Sequence, residues 1–304
     1  MFGMSAERNG VERPPRIAQC GHAPDEEEEK MERQKRIAVV NDFSGFGRCS
    51  LTVSIPIISA SGIQCCALPT AVLSNHTGYE DYFFDDYTDK MKPYYMKWEK
   101  LGLSFDGIYT GFLGSERQVD IIAGFLHRFT GEKTVRIIDP VMGDNGRTYA
   151  TLTGSLCRRL RHLAEKADIL TPNVTEACIL TGMPYSDAPE KEMILEMGRK
   201  LRKAGSKNII ITGVNDGNII SNYVFSVDGR FSILSSPVIG KPRAGTGDVF
   251  ASVIAADAVK GLPLEESVRR AAGFVSRAIS ISEKRGIPEQ DGLCFEELLS
   301  ISQD

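Results

Sequence analysis

From Arg36 onward the sequence alternates between short apolar runs and helix-length amphipathic segments. The runs RIAVV, IQCCAL, GIYTG, VRIID, ADILTP and NIIITG are continuously apolar, which is typical of strands buried on both faces. Two intervening segments, ERQVDIIAGFLHRF and SLCRRLRHLAEKA, have apolar residues at helical spacing. Their apolar faces consist of Val119, Ile122, Leu126 and Phe129 in the first and Leu156, Leu160 and Leu163 in the second. The alternation predicts an α/β fold with a central, mostly parallel sheet and helices on both faces.

The predicted domain organisation is one domain preceded by a tail. Residues 1–34 are polar, proline-containing and include four consecutive glutamates, so we predict a disordered N-terminal extension. Translation starting at Met31 is a further hypothesis, which an intact-mass measurement of the native protein would test. Residues 35–304 form the predicted domain, with an antiparallel edge hairpin in NYVFSVDGRFSIL that turns at Asp228-Gly229.

Composition limits the function classes. A net charge of −4 argues against a nucleic-acid partner. No apolar run is long enough for a membrane span, and we expect no secretory signal. The seven cysteines lack the paired spacing of a zinc site or a disulfide framework. These features predict a cytoplasmic protein in a reducing compartment.

The stretch KPRAGTGDVFASVIAADAV carries the first candidate site. Gly245, Thr246, Gly247 and Asp248 stand where a helix is predicted to begin. The first amides of a helix lack intrahelical partners, and glycines let an anion approach them closely. A carboxylate in the same turn can take the proton of an attacking alcohol, so the pattern suits phosphoryl transfer. The alternative is a tight turn with an acidic helix start.

Two further motifs place polar residues at the carboxyl ends of predicted strands. IIDPVMGDNG brings Asp139 and Asp144, and ILTPNVTEACIL brings Asn173 and Glu176. Ligands of open α/β sheets bind at that edge, where carboxylates could hold hydrated Mg²⁺ beside a nucleotide. The structural alternatives are a turn before Pro140 and a capping box between Asn173 and Glu176.

Together AGTGD, DPVMGD and TPNVTEA resemble the ribokinase-like superfamily and, within it, the vitamin kinase branch of pyridoxal, pyridoxamine and hydroxymethylpyrimidine kinases. The resemblance covers Arg36 to about Ser282. It implies a ribokinase-like fold, a homodimer, ATP as co-substrate and Mg²⁺, with K⁺ activation left open. It also implies that Asp248 is the catalytic base and that the amides of Ala244, Gly245, Thr246 and Gly247 form the anion hole.

The resemblance implies further site residues. The positions expected around the nucleotide are Asp139, Asp144, Tyr149, Asn173, Glu176 and Thr212, of which Asp139, Asp144 and Glu176 would serve Mg²⁺. The positions expected around the vitamin are Asn41, Asp42, Ser44, His76, Thr77 and Phe112.

Two stretches bear on the substrate. SNHTGY (residues 74–79) resembles pyridoxal kinases, whereas NDFSG (residues 41–45) is closer to the hydroxymethylpyrimidine kinases. Each also has a local alternative: a polar turn for the first and a strand-to-helix turn for the second. The leading expectation is ATP-dependent phosphorylation of the 5′-hydroxymethyl group of a B6 vitamer. A hydroxymethylpyrimidine (phosphate) kinase is the alternative, followed by a sugar kinase and by a non-catalytic sensor.

Overall fold

A computed structural model describes residues 33–299, and the predicted disorder of the tail lies almost entirely outside them. Residues 34–299 form one compact unit. Its strands are β1 (Arg36–Phe46), β2 (Gln64–Asn75), β3 (Phe84–Asp86), β4 (Gly107–Thr110), β5 (Val135–Ile138), β6 (Gly143–Asp144), β7 (Arg147–Thr148), β8 (Ile169–Leu170), β9 (Asn208–Asn215), β10 (Ile219–Phe225) and β11 (Phe231–Pro237). Its α-helices are α1 (Ser50–Ala60), α2 (Thr88–Lys100), α3 (Glu116–Phe129), α4 (Gly154–Ala164), α5 (Val174–Thr181), α6 (Lys191–Ala204), α7 (Thr246–Lys260) and α8 (Leu264–Lys284).

The central sheet has the order β11-β10-β9-β8-β5-β4-β1-β2-β3. The six strands from β9 to β2 are mutually parallel, and antiparallel strands flank them on both edges. This confirms the predicted α/β fold, including the edge hairpin β10–β11. No helix within residues 33–299 is both long and apolar enough to cross a bilayer.

Two apolar clusters cover the two faces of the sheet. Helices α2 to α6 pack on one face, where Val119, Ile122, Leu126 and Phe129 of α3 are buried as their spacing predicts. Helices α1, α7 and α8 pack on the other face. Helix α7 is almost entirely buried from Val249 to Val259, so its axis is held firmly against the sheet.

Strand β1 is longer than the sequence pattern predicts. Its pairing with β2 skips one register position between Asn41 and Phe43 and then continues to Phe46. The NDFSG motif therefore lies in strand β1, beside a bulge on β2, and not in a strand-to-helix turn. The extra residue lies on β2 opposite Asp42, and such bulges increase the local twist and change the direction of neighbouring side chains.

Candidate active site

Helix α7 begins where the sequence predicts. Gly245 is its N-cap and has φ 71°, in the left-handed region that favours glycine. A Cβ on Gly245 would overlap the carbonyl oxygen of Arg48 and lie 2.9 Å from the carbonyl carbon. Only glycine therefore allows the loop after Arg243 to approach the segment before α1 this closely.

The first turn of α7 presents unused donors. The amides of Gly245, Thr246 and Gly247 donate to no other group among residues 33–299, and the first internal bond runs from the Val249 N–H to the Gly245 carbonyl at 3.0 Å. Adjacent N–H groups at a helix start attract an anion. The predicted anion hole thus has its donors in place, with one departure. The Ala244 N–H donates to the Glu289 carbonyl at 3.2 Å and points away from the hole.

Asp248 lies in the same turn and is held from two sides. The Asn41 Nδ2 donates to Asp248 Oδ1 at 3.0 Å, and the backbone N–H of Ser50 faces the same carboxylate. Burial, opposed by these two donors and assisted by the nearby Asp42 charge, raises the pKa of Asp248 to about 6. A carboxylate with this pKa is ionised at neutral pH and is a stronger proton acceptor than an exposed aspartate.

The Asn41 side chain makes three hydrogen bonds within the site, one of them to Asp248. It is 1% exposed, and its Oδ1 accepts from the Asp42 N–H at 3.0 Å and from the Phe112 N–H at 2.8 Å. Together with the bond to Asp248, these contacts use both ends of the amide. These contacts give Asn41 a positioning role towards Asp248, while its predicted contact with the substrate stays a prediction. Phe112 itself is half-buried beside it, at the end of β4.

Asp42 and Ser44 form a second polar group next to Asp248. Ser44 Oγ donates to Asp42 Oδ2 at 2.9 Å, and Ser50 Oγ donates to Asp42 Oδ1 at 2.6 Å. Burial raises the pKa of Asp42, while the two hydroxyls and the nearby His76 oppose the rise. Each carboxylate oxygen retains a second lone pair, so Asp42 can still accept from a ligand.

His76 and Thr77 lie in the loop that follows β2. The His76 Nδ1 accepts from the Gly78 N–H at 3.0 Å, and its Nε2 lies 2.6 Å from the Gln290 carbonyl. Both ring nitrogens are thereby engaged, with the proton on Nε2, so this side chain fixes its own loop, and its contact with the vitamin stays a prediction. Thr77 is exposed at the tip of that loop.

A C-terminal segment, residues 289–292, holds these loops together; we call it the clasp. Besides Ala244 and His76, the Arg48 N–H donates to the Asp291 carbonyl at 3.1 Å, and the Tyr79 hydroxyl donates to Asp291 Oδ1 at 2.6 Å. The clasp could not be predicted from the sequence. Its partners lie more than 200 positions away in the case of Arg48, His76 and Tyr79, and no local pattern marks them.

The carboxyl ends of β5 and β8 contribute the second half of the site. Asp139 is 8% exposed, and its Oδ2 would lie 3.9 Å from a Cβ on Gly247, so it faces the first turn of α7. Burial, Glu176 and Asp248 raise the pKa of Asp139 well above its usual range. The structure thus brings three predicted acids, Asp139, Glu176 and Asp248, into mutual electrostatic contact.

Glu176 and Asn173 form the capping box that was the structural alternative. Asn173 Oδ1 accepts from the Glu176 N–H, and Glu176 Oε2 accepts from the Asn173 N–H, both at 2.9 Å. Glu176 Oε1 also accepts from the Met142 N–H at 3.0 Å, and Asn173 Nδ2 donates to the Gly143 carbonyl at 2.8 Å. These bonds pin the DPVMGD loop to the start of α5.

The remaining predicted residues border this region. Asp144 lies in the β6–β7 hairpin, where its two oxygens accept from the backbone and side-chain amides of Asn145. The Tyr149 hydroxyl faces the acidic group: burial and the charges of Glu176, Asp144, Asp139 and Asp248 raise its pKa. Thr212, on β9, donates its backbone N–H to the Pro172 carbonyl at 2.9 Å.

The acidic edge fits a hydrated Mg²⁺ that also uses phosphate oxygens. Repulsion among Asp139, Glu176 and Asp248 would be relieved by a cation, and Mg²⁺ prefers carboxylate oxygens. Both Glu176 oxygens already accept a backbone N–H group and keep one lone pair each, so Asp139, which faces the first turn of α7, would be the ligand with more free acceptor capacity. No three acidic, His or Cys side chains in residues 33–299 converge to hold a metal alone.

Comparison with known proteins places this geometry in a family. The family model described as phosphomethylpyrimidine kinase matches residues 89–291. A curated relative, the hydroxymethylpyrimidine/phosphomethylpyrimidine kinase of Haemophilus influenzae, is 32% identical over 177 residues. That alignment covers 56% of this chain and 63% of the relative, so the chain spans just under two thirds of the relative's length.

Solved structures match over more of the chain. A protein from Bacteroides thetaiotaomicron classed as a phosphomethylpyrimidine kinase and crystallised with pyridoxal is 39% identical, with a TM-score of 0.84. The match covers 88% of this chain and 95% of that one. Pyridoxal kinase from Lactobacillus plantarum is 28% identical, with a TM-score of 0.80 and coverage of 87% and 95%. The chain belongs to the phosphomethylpyrimidine kinase family, within the ribokinase-like vitamin kinases.

Proposed function

We propose that the chain transfers the γ-phosphoryl group of ATP to the hydroxymethyl group of a small aromatic vitamin. One observation carries the proposal: the unused amides of the α7 first turn and the Asp248 carboxylate lie together, with Asp248 held by Asn41 and faced by Asp139. Donors for an anion, a proton acceptor and an acidic edge for Mg²⁺ are the parts that phosphoryl transfer needs.

The residues divide the work as follows. Asp248 accepts the proton of the substrate hydroxyl while the hydroxyl oxygen bonds to the γ-phosphorus and the bond to the leaving ADP oxygen breaks. The amides of Gly245, Thr246 and Gly247 stabilise the charge on the phosphoryl oxygens. Asp139, with Glu176 and Asp144 behind it, would hold Mg²⁺, which when bound neutralises charge on the phosphates. Tyr149 borders the same region and could donate to a phosphate.

A B6 vitamer is the substrate we favour. The Bacteroides protein, which binds pyridoxal in its crystal, and the Lactobacillus pyridoxal kinase are similar to this chain over most of its length. Asp42 also gives the vitamin side of the site a buried carboxylate, which suits a substrate with an amine or a hydroxyl. Pyridoxamine combines an amine and a hydroxymethyl group, and we place it first among the vitamers.

Hydroxymethylpyrimidine is the second candidate. The family model and the Haemophilus relative carry that activity in their descriptions, and NDFSG resembles those enzymes. An assay of ADP release with pyridoxamine, pyridoxal, pyridoxine and hydroxymethylpyrimidine, each with ATP and Mg²⁺, ranks the candidates by kcat/KM. We expect a B6 vitamer to lead. A higher kcat/KM for the pyrimidine would reject the B6 assignment, and no turnover with any of the four would reject the vitamin kinase proposal.

A further inference from the structure

Ser50 has an unusual backbone conformation directly beside the two acids. It is the first residue of α1, and its φ of 54° lies in the left-handed region, although serine is not a residue that adopts it readily. The residue is buried, with 7% of its surface exposed. Such conformations persist where surrounding contacts enforce them, and they concentrate at functional sites.

The left-handed conformation lets one residue contact both acids. Its backbone N–H faces the Asp248 carboxylate, and its Oγ donates to Asp42 Oδ1 at 2.6 Å. Asp42 lies on β1, and Asp248 lies on α7, which is 206 positions later in the chain. Asn41 and Ser50 thus approach Asp248 from two different elements, and of the two only Ser50 also donates to the Asp42 carboxylate.

Two serine hydroxyls hold the backbone of Ser50 in place. The Ser54 Oγ donates to the Ser50 carbonyl at 3.1 Å, and the Ser252 Oγ of α7 donates to the Ser54 Oγ at 3.0 Å. This chain of hydroxyls joins the start of α1 to α7. A shift of either helix would therefore move Ser50 relative to both carboxylates.

We propose that Ser50 is a positioning residue that fixes the distance between the proton acceptor Asp248 and the substrate-facing Asp42. This inference rests on the proposed function and adds a residue to it. Asp42 binds a polar group of the vitamin, so its position sets where the hydroxymethyl group arrives, and Asp248 must meet that group. Misplacement by about 1 Å can lower the rate of such a reaction about 100-fold.

Two substitutions separate positioning from general support of the fold. Ser50→Ala removes the hydroxyl and keeps a side chain in the left-handed region, whereas Ser50→Gly removes the hydroxyl and relieves the backbone strain. We expect both to lower kcat with the preferred vitamer about 10- to 100-fold, with the KM for ATP within about twofold of the parent. The melting temperature of Ser50→Gly should equal or exceed that of Ser50→Ala.

Thr52→Ala is the matched control. Thr52 lies in the same turn of α1, and its Oγ1 donates to the Cys49 carbonyl at 2.7 Å without touching either acid. Its kcat should stay within about twofold of the parent, because the catalytic group is unchanged. Nucleotide binding and circular dichroism of each variant, measured alongside, show whether it is folded.

The outcomes are distinguishable. A kcat within twofold of the parent for Ser50→Gly would overturn the inference while leaving the proposed kinase intact. A loss of kcat in Ser50→Ala that disappears in Ser50→Gly would also overturn it, because the hydroxyl would then be dispensable. If the parent protein phosphorylates none of the vitamins, both the proposed function and the positioning role of Ser50 are rejected.

Discussion

Replacing Asn41 with aspartate tests whether this amide controls the proton acceptor. The substitution keeps the size of the side chain and the oxygen that accepts from the Asp42 and Phe112 amides, but it replaces the donor to Asp248 with a second carboxylate. Two unit charges at the 3.0 Å of that contact repel by about 5 kcal/mol at an effective dielectric constant of about 20. The pair would therefore share one proton at neutral pH.

The proton shared by the two carboxylates lowers the rate, because a protonated Asp248 cannot accept the proton of the substrate hydroxyl. The repulsion raises the pKa of Asp248 from about 6, and about 4 of the 5 kcal/mol suffices to leave only about 1% of Asp248 ionised at pH 7. We expect kcat/KM of Asn41→Asp to fall about 100-fold at pH 7 and to recover partly towards pH 9. The assay is initial-rate ADP release between pH 6 and pH 9, with the parent measured in the same buffers.

Two companion variants make the test specific. Asn41→Ala adds no charge but leaves two buried amides without an acceptor, which costs about 2–4 kcal/mol of folding free energy. Its rate loss should not recover at alkaline pH. Asn41→Asp combined with Asp248→Asn restores the amide–carboxylate pair in reverse, so stability should return without activity. A kcat/KM of Asn41→Asp within threefold of the parent at pH 7 would refute the reasoning.

Three other perturbations have defined outcomes. In Gly245→Ala the new Cβ would overlap the Arg48 carbonyl and sit on a residue with left-handed φ, so we expect the free energy of unfolding to fall by at least about 3 kcal/mol. An unchanged midpoint in denaturant unfolding would contradict the close approach of Gly245 to Arg48. Asp248→Asn should lower kcat by two to four powers of ten. The folded-state pKa of Asp248, about 6, lies above the ordinary value of 3.8. Stability of the parent therefore falls as the pH rises from 3.8 to about 6, because ionisation is easier in the unfolded chain. The same variant should therefore be about 2–3 kcal/mol more stable than the parent at pH 7.5 and equal to it near pH 4, and equal stabilities at both pH values would refute the burial argument. Asp139→Asn should raise the Mg²⁺ concentration needed for half-maximal activity about tenfold or more. Asp144→Asn should raise it less, because both Asp144 oxygens already accept from Asn145. A larger effect of Asp144→Asn would reject Asp139 as the direct ligand.

The features that could be predicted from sequence are the local ones. Apolar periodicity in α3 and α4 and continuous apolar runs in the parallel strands depend on residues a few positions apart, and the start of α7 is marked by Gly245 and Asp248 themselves. The carboxyl-edge rule then placed Asp139 and Glu176 near Asp248 without any knowledge of loop conformation.

The features that could not be predicted depend on pairs that are distant in sequence. From the sequence alone, Asn41 could bind the substrate or Asp248. The contact with Asp248 becomes visible only in the fold, which brings β1 beside α7. His76 has two nitrogens suited to a vitamin, but the clasp occupies one of them. Ser50 has no signature at all, because a left-handed serine is a response to tertiary contacts.

The clasp has a consequence for the order in which the site is completed. Residues 289–292 leave the ribosome after every other residue of the site, including all of α7. Until they arrive, the loops carrying Ala244, Arg48 and His76 lack the carbonyl groups that accept their hydrogen bonds. A nascent chain therefore carries the acids and the helix start without their final arrangement.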